Sequence, residues 1–300
     1  MIAMLPIRPL IATAMVATST GLLAIPAQAA TPQFAAPPTL VGIRATHHYG
    51  LDRLVFEFRG RVPAQRDVRY VSQLIADGSG RQVNAVGDAL LQIRFGRADG
   101  HDRHGSVTYG PARRTYALPG VIQVVSTGDF ESTLTFGAGL AKTVPYRVYT
   151  LTRPSRVVVD LVTRYRTVPA RDYFLNTAAY NTGRRPYTTA VQRPVIPPAT
   201  AYGALQRLFA GPTQTEKAQG LRFVSSKATG FSKLTVKHGI ARVYLTGRVT
   251  GGGSAFTIAD EIRPTLKQFP SIKWVKIYDA AGTTQQPTGH SDSIPQSLEP

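Results

Sequence analysis

The sequence predicts a multidomain chain, an all-β antiparallel sandwich followed by a small α/β domain. Three observations carry this. From Leu54 to Val162, short runs alternate apolar and polar side chains and are separated by turn residues. Beyond Asp172, strand-like runs mix with apolar stripes at helical spacing. And 300 residues, 43% of them hydrophobic, suffice for about two cores.

Residues 1–29 read as a leader rather than as part of either domain. Arg8 gives a positive start, an apolar stretch runs from Leu10 to Ile25, and Ala27-Gln28-Ala29 supplies small residues for cleavage before Ala30. Export is therefore expected, with a secreted, envelope-associated mature chain. No later segment approaches the ~18 apolar residues of a membrane span. The chain has no cysteine, which excludes disulfides and thiolate metal sites. Removing the leader takes away one charge, leaving 34 Lys and Arg against 17 Asp and Glu, a net of +17. For an exported chain this points to acidic wall polymers, anionic head groups or an acidic protein, and away from nucleic acid. Solubility alone is the other reading of that charge.

After a linker at 30–38, residues 39–163 form the expected sandwich. In Arg53–Arg59, Leu54, Phe56 and Phe58 fall on one face, and Val55 and Glu57 on the other. A slip of one residue would expose all three large side chains, so the pattern sets the register. Similar runs recur at Val68–Val71, Leu90–Phe95, Val121–Val125, Leu134–Phe136, Tyr146–Leu151 and Arg156–Val162. Thr46–Phe58, the turn Asp77-Gly78-Ser79-Gly80, Gly128–Glu131, Phe136–Leu140 and Pro154–Asp160 together resemble the AMIN-like domain of exported proteins. The resemblance implies a non-catalytic targeting or binding module of the cell wall.

A short basic linker at 164–170 leads to the second domain, 171–280. Ala201, Leu205, Leu208 and Phe209 make one apolar helical stripe, and Gly211-Pro212 ends it. Thr213 and Glu216 form a capping box for a second, short helix. Leu234–Val236 and Ile240–Leu245 read as a hairpin turning at Lys237-His238-Gly239, with His238 as a turn residue at positive φ. Ala259, Ile262, Leu266 and Phe269 mark a third helix, with a kink or break expected at Pro264. Val275 and Ile277 lie in a closing strand, and 281–300 reads as a polar tail. Ala204-Leu205, Leu208 through Thr213, Glu216, Gly220-Leu221, Gly239–Leu245 and Thr265–Pro270 resemble the GerMN domain, named for a spore-germination lipoprotein. That resemblance implies a structural or scaffolding module outside the cytoplasmic membrane.

The chemical candidates are few. His47 and His48 are neighbours, so on a strand they point to opposite faces; with Asp52 in the turn, Thr46–Asp52 reads as the polar, capped approach to a buried strand. His101-Asp102-Arg103-His104 offers three ligand atoms in a glycine-flanked loop, but Arg103 opposes a cation. Gly137-Ala138-Gly139 lacks the rest of a dinucleotide fingerprint and reads as a bend at a strand end. No H-E-x-x-H, G-x-S-x-G or carboxylate couple is present. No catalytic residue, cofactor or metal site is assigned. Surface binding has better material: Trp274 and Tyr278 on one face, flanked by Lys273 and Lys276, could stack on a sugar while the lysines meet its acidic groups. The alternative is a tryptophan packed under a helix. Arg184, Arg185 and the linker arginines make a second candidate patch.

The reading is a non-enzymatic exported binding or scaffold protein of the envelope, with peptidoglycan, an acidic wall polymer or an envelope protein as partner. The alternative is a wall hydrolase whose site is dispersed along the chain.

Overall fold

In this computed structural model, residues 36–300 are described; the expected leader and most of the expected linker at 30–38 lie outside them. The first domain comprises β1 (Thr39–His48), β2 (Leu51–Arg59), β3 (Gln65–Val71), β4 (Leu74–Ile75), β5 (Gln82–Val83), β6 (Ala89–Gly96), β7 (Arg113–Thr115), β8 (Val121–Phe130), β9 (Thr133–Leu140), β10 (Tyr146–Thr152) and β11 (Ser155–Val162). They build two antiparallel sheets, β1-β2-β11-β10 and β3-β6-β9-β8-β7, with β4 and β5 as a separate ribbon. The first hairpin thus pairs with the last, β2 lying beside β11.

The alternation in β2 does what period two requires. Leu54, Phe56 and Phe58 enter the core, where the Phe56 ring meets Phe95 of β6 edge-on at 5.0 Å and Phe136 of β9 at 5.3 Å. Gly137-Ala138-Gly139 is not a bend at a strand end but lies inside β9. Glycine is needed there because a Cβ on Gly139 would collide with the Val86 carbonyl, and one on Gly137 with the Leu74 side chain.

The second domain comprises β12 (Val168–Asn176), α1 (Thr177–Asn181), β13 (Thr188–Val195), α2 (Thr200–Ala210), α3 (Gln214–Ala218), β14 (Leu221–Arg222), β15 (Ala228–Lys237), β16 (Ile240–Gly247), α4 (Ile258–Lys267) and β17 (Trp274–Tyr278), followed by one 3-10 turn (Gln296–Leu298). Its sheets are β13-β12-β14 and β15-β16-β17, and only β16 and β17 pair in parallel. The capping box forms as the spacing requires: Glu216 N donates to Thr213 Oγ1 at 3.3 Å and Thr213 N to Glu216 Oε2 at 2.8 Å. His238 takes φ +51° in the β15–β16 turn.

Two expectations are revised here. Of the kink or break expected at Pro264, the break does not occur: helix α4 continues through it. The one ladder bond that proline removes is outweighed by burial on either side, at Ile258, Ile262 and Leu266. And β12 begins at Val168, inside the stretch read as linker, because Val168 to Leu175 pair with Val195 to Thr188.

The two domains share a hydrogen-bonded seam along α2. Tyr202 Oη and Gln206 Nε2 donate to Asp88 Oδ1 at 2.9 and 2.7 Å. Arg207 Nη2 donates to the Pro119 carbonyl at 3.0 Å. Gln123 Nε2 and the Thr115 hydroxyl both donate to the Ala210 carbonyl at the end of α2. Below the seam, Arg193 is 1% exposed and grips Glu216 with two hydrogen bonds of 2.8 and 2.6 Å. The fully buried Asp172 lies 3.8 Å from Arg193 Nε, and desolvation pushes its carboxyl up to about 8 against the pull of the arginine. Burial likewise brings Arg207 down to about 10.

Candidate functional site

The histidine-rich stretch is the tip of the β1–β2 hairpin. His47 and Asp52 face each other across it, as do His48 and Leu51, leaving Tyr49-Gly50 as the turn. Gly50 is at φ +74°, a left-handed conformation that favours glycine, and it packs beside the Arg164 side chain. Asp52 is fully buried. Its Oδ2 accepts from Gly120 N at 2.6 Å and Val121 N at 2.8 Å, pinning the hairpin to the start of β8. Its Oδ1 lies 2.7 Å from His47 Nδ1, which fixes the imidazole against the turn.

Around this pin lies a cavity of about 560 Å³, lined by His47, Tyr49, Gly50, Pro119, Thr163, Arg164, Tyr165 and Thr167. Tyr49 stands fully exposed at its rim. Tyr165 donates to the Pro119 carbonyl at 3.2 Å, and the Lys142 ammonium sits 5.4 Å from its ring centre. Burial, and secondarily the charge of Asp52, push the Tyr165 phenol up to about 12, so it remains a neutral donor. Thr163 Oγ1 is buried and has no hydrogen-bond partner among the described residues. Two tyrosines and a guanidinium thus converge on one concave surface. Such a surface can stack on a sugar ring and meet its acidic substituents.

The β17 strip expected as a binding face is largely covered. Lys276 is fully buried, its Nζ donating to the carbonyls of Gln286 at 2.5 Å and Thr288 at 2.9 Å. Tyr278 is 6% exposed and stacks on Tyr244 at 4.5 Å. The cause is the chain beyond 281, which lies along the free edge of β17: Ile277 N donates to Ser293 O and Ser293 N to Val275 O. Trp274 is partly exposed with the Lys267 ammonium 5.6 Å from its ring, and Lys273 is exposed. Arg184 and Arg185 are exposed beyond α1, with Arg185 over Tyr187 at 5.1 Å. Arg185 lines a different cavity, with Phe256 and Asp260, and does not join the β17 strip.

Two other histidines have side-chain partners. His48 bonds Thr46 Oγ1 at 3.2 Å. His101 meets Asp129 at 3.0 Å, and that carboxylate raises its pKa. Asp102 accepts from the backbone of His104 and Ser106. Among the described residues no cluster of three or more His, Asp or Glu could hold a metal ion. Of the cavity residues, His47, Tyr49 and Gly50 lie in the histidine-rich stretch and Arg164 in the basic linker that drew notice in the sequence. Tyr165 and Thr163 gave no signal, because what joins them to the hairpin is strand pairing over a hundred residues apart.

Residues 38–163 match the family model of the AMIN-like domain, and residues 172–285 that of the Germane domain, described as sporulation and spore germination. No curated protein matches the chain. One similar solved structure is that of the tandem GerMN domains of the sporulation protein GerM from Bacillus subtilis. It is 17% identical, with a TM-score of 0.29, over 45% of this chain and 48% of that one. The chain thus matches about half of that protein's length. AMIN-like domains are typically extracytoplasmic, and no helix among the described residues is long and apolar enough to cross a membrane. The hairpin cavity sits in the part that matches the AMIN-like domain, and a part that matches the Germane domain follows it.

Proposed function

We propose that the chain is a non-catalytic envelope binding protein whose AMIN-like domain holds peptidoglycan or an acidic wall polymer in the hairpin cavity. The observation that carries this is the convergence of Tyr49, Tyr165 and Arg164 on one concave surface beside Lys142. Tyrosine faces bind sugar rings through apolar contact, and the cations meet carboxylate or phosphate groups. The net charge of +17 on the mature chain adds long-range attraction to such polymers. The Germane domain, joined along the α2 seam, would hold the cavity at a fixed angle to an envelope complex.

The test is retention of the mature chain on purified wall sacculi across a salt series. Tyr49→Ala and Arg164→Gln should each weaken retention roughly tenfold, and Arg164→Gln should flatten its salt dependence. Retention unchanged in both variants would remove the cavity from the account.

The His47–Asp52 pair favours a second reading, since a carboxylate-held imidazole can serve as a general base. That hydrolase reading requires wall material to be cleaved by the parent chain and spared by His47→Ala. Binding without cleavage by both chains rejects it.

A further inference from the structure

At the seam a second cavity, of about 480 Å³, takes its walls from both domains. Arg113 of β7 contributes from the AMIN-like side; Lys217 of α3 and Arg222 of β14 contribute from the Germane side. Phe209, Pro212 and Phe223 form apolar wall between them. None of the three cations makes an ion pair among the described residues. No carboxylate lines the cavity.

Two of the three are held in place by neutral acceptors. The Arg113 guanidinium donates to Gln123 Oε1 and, at 2.7 Å, to the Asn84 carbonyl. Gln123 is 1% exposed and also bonds the end of α2, so this arm belongs to the seam itself. Arg222 Nη1 donates to the carbonyls of Lys217 at 2.7 Å and Leu221 at 2.8 Å. Lys217 feels its surroundings: desolvation, then the charges of Arg222 and Arg113, lower its pKa. Three like charges gathered against apolar walls repel one another, and a chain folding for stability alone gains nothing from the arrangement.

We infer that this seam cavity is an oxyanion site for a phosphate ester, its phosphoryl oxygens taken by Arg113, Lys217 and Arg222 and its organic part lying against Phe209 and Phe223. Forked guanidiniums and a point-charge ammonium are the donors that phosphate oxygens take. Such a ligand relieves the mutual repulsion and bridges the two domains. It is a different site from the hairpin cavity and does not depend on it. A small phosphate monoester and the phosphodiester backbone of a wall polymer present the same chemistry.

The experiment titrates the full chain with glycerol 3-phosphate and, separately, with poly(glycerol phosphate), against sodium chloride at matched ionic strength. Calorimetry reads the Kd and thermal unfolding reads the Tm. One or both phosphate probes should bind and raise the Tm where chloride does not. Lys217→Gln combined with Arg222→Gln should raise the Kd at least tenfold. Lys217→Arg should keep binding within threefold, and Arg61→Gln, an exposed arginine elsewhere, should leave it unchanged. Binding of the polymer alone assigns the polymer source, and binding of the monoester assigns the small ester. Binding by neither probe, or binding that survives when the double variant also carries Tyr49→Ala, overturns the site. Each titration is repeated in a Tyr49→Ala background, which takes away polymer held at the hairpin cavity; the phosphate binding that remains there belongs to the seam, so failure here and failure of the wall-binding reading are told apart.

Discussion

Replacing Asp52 with alanine tests whether the hairpin is pinned as described. The carboxylate is fully buried and accepts from two backbone N–H groups at 2.6 and 2.8 Å. Hydrogen bonds to a charged acceptor contribute about 1.5–3 kcal/mol each, so losing both costs about 3–6 kcal/mol. Neither donor gains water freely, because Gly120 and Val121 are themselves buried. His47→Ala removes only the third, half-exposed partner and should cost about 0.5–1.5 kcal/mol. Urea unfolding measures both, at unchanged m. The single tryptophan, Trp274, reports the Germane domain alone, so its fluorescence set beside far-UV circular dichroism separates the two domains. The dichroism midpoint should fall sharply in Asp52→Ala. If the fluorescence midpoint follows it, the α2 seam couples the two domains. A loss in Asp52→Ala no greater than in His47→Ala would refute the pin.

Three further outcomes rest on single contacts. Gly139→Ala drives a methyl into the Val86 carbonyl and should cost about 1–3 kcal/mol, read from the same dichroism midpoint. Arg193→Met leaves Asp172 and Glu216 without their buried partner and should cost about 3–5 kcal/mol, read from Trp274 fluorescence. The hydrogen bonds from Arg53 hold the Asp160 carboxyl below its ordinary value of 3.8. A carboxylate lowered in the folded state stabilises fully above its unfolded pKa and loses that contribution as pH falls through the folded one. The stability gap between the parent and Asp160→Asn should therefore stay flat above about pH 5 and close in acid, as urea midpoints taken across pH will show.

What the sequence disclosed was what neighbours along the chain decide. Period two in Leu54, Phe56 and Phe58 marks β2, the Thr213–Glu216 spacing marks the start of α3, and His238-Gly239 marks a turn. Each is a contact within a few residues. What stayed hidden depends on partners far away. The Asp52 acceptor is spent on backbone 68 residues on, so Thr46–Asp52 could be read as a polar strand approach but not as a pin. Lys276 reads as a surface cation until the carbonyls of Gln286 and Thr288 close over it. Polar sequence at 281–300 signals a tail, yet Leu298 is 1% exposed in the second core. Arg113, Lys217 and Arg222 come from two separate domains, and only their docking along α2 gathers them.

The last fifteen residues also decide how this protein can be handled at the bench. The family match stops at residue 285, an inviting place to trim a clone. A chain shortened there loses the backbone bonds of Ser293, the two carbonyls that receive the Lys276 ammonium, and the Lys267–Asp292 bridge of 2.5 Å. It would bare a strand margin beside a stranded charge, and such margins recruit other copies. Clumping in a trimmed sample would then report the missing terminus and nothing about how the intact molecule assembles.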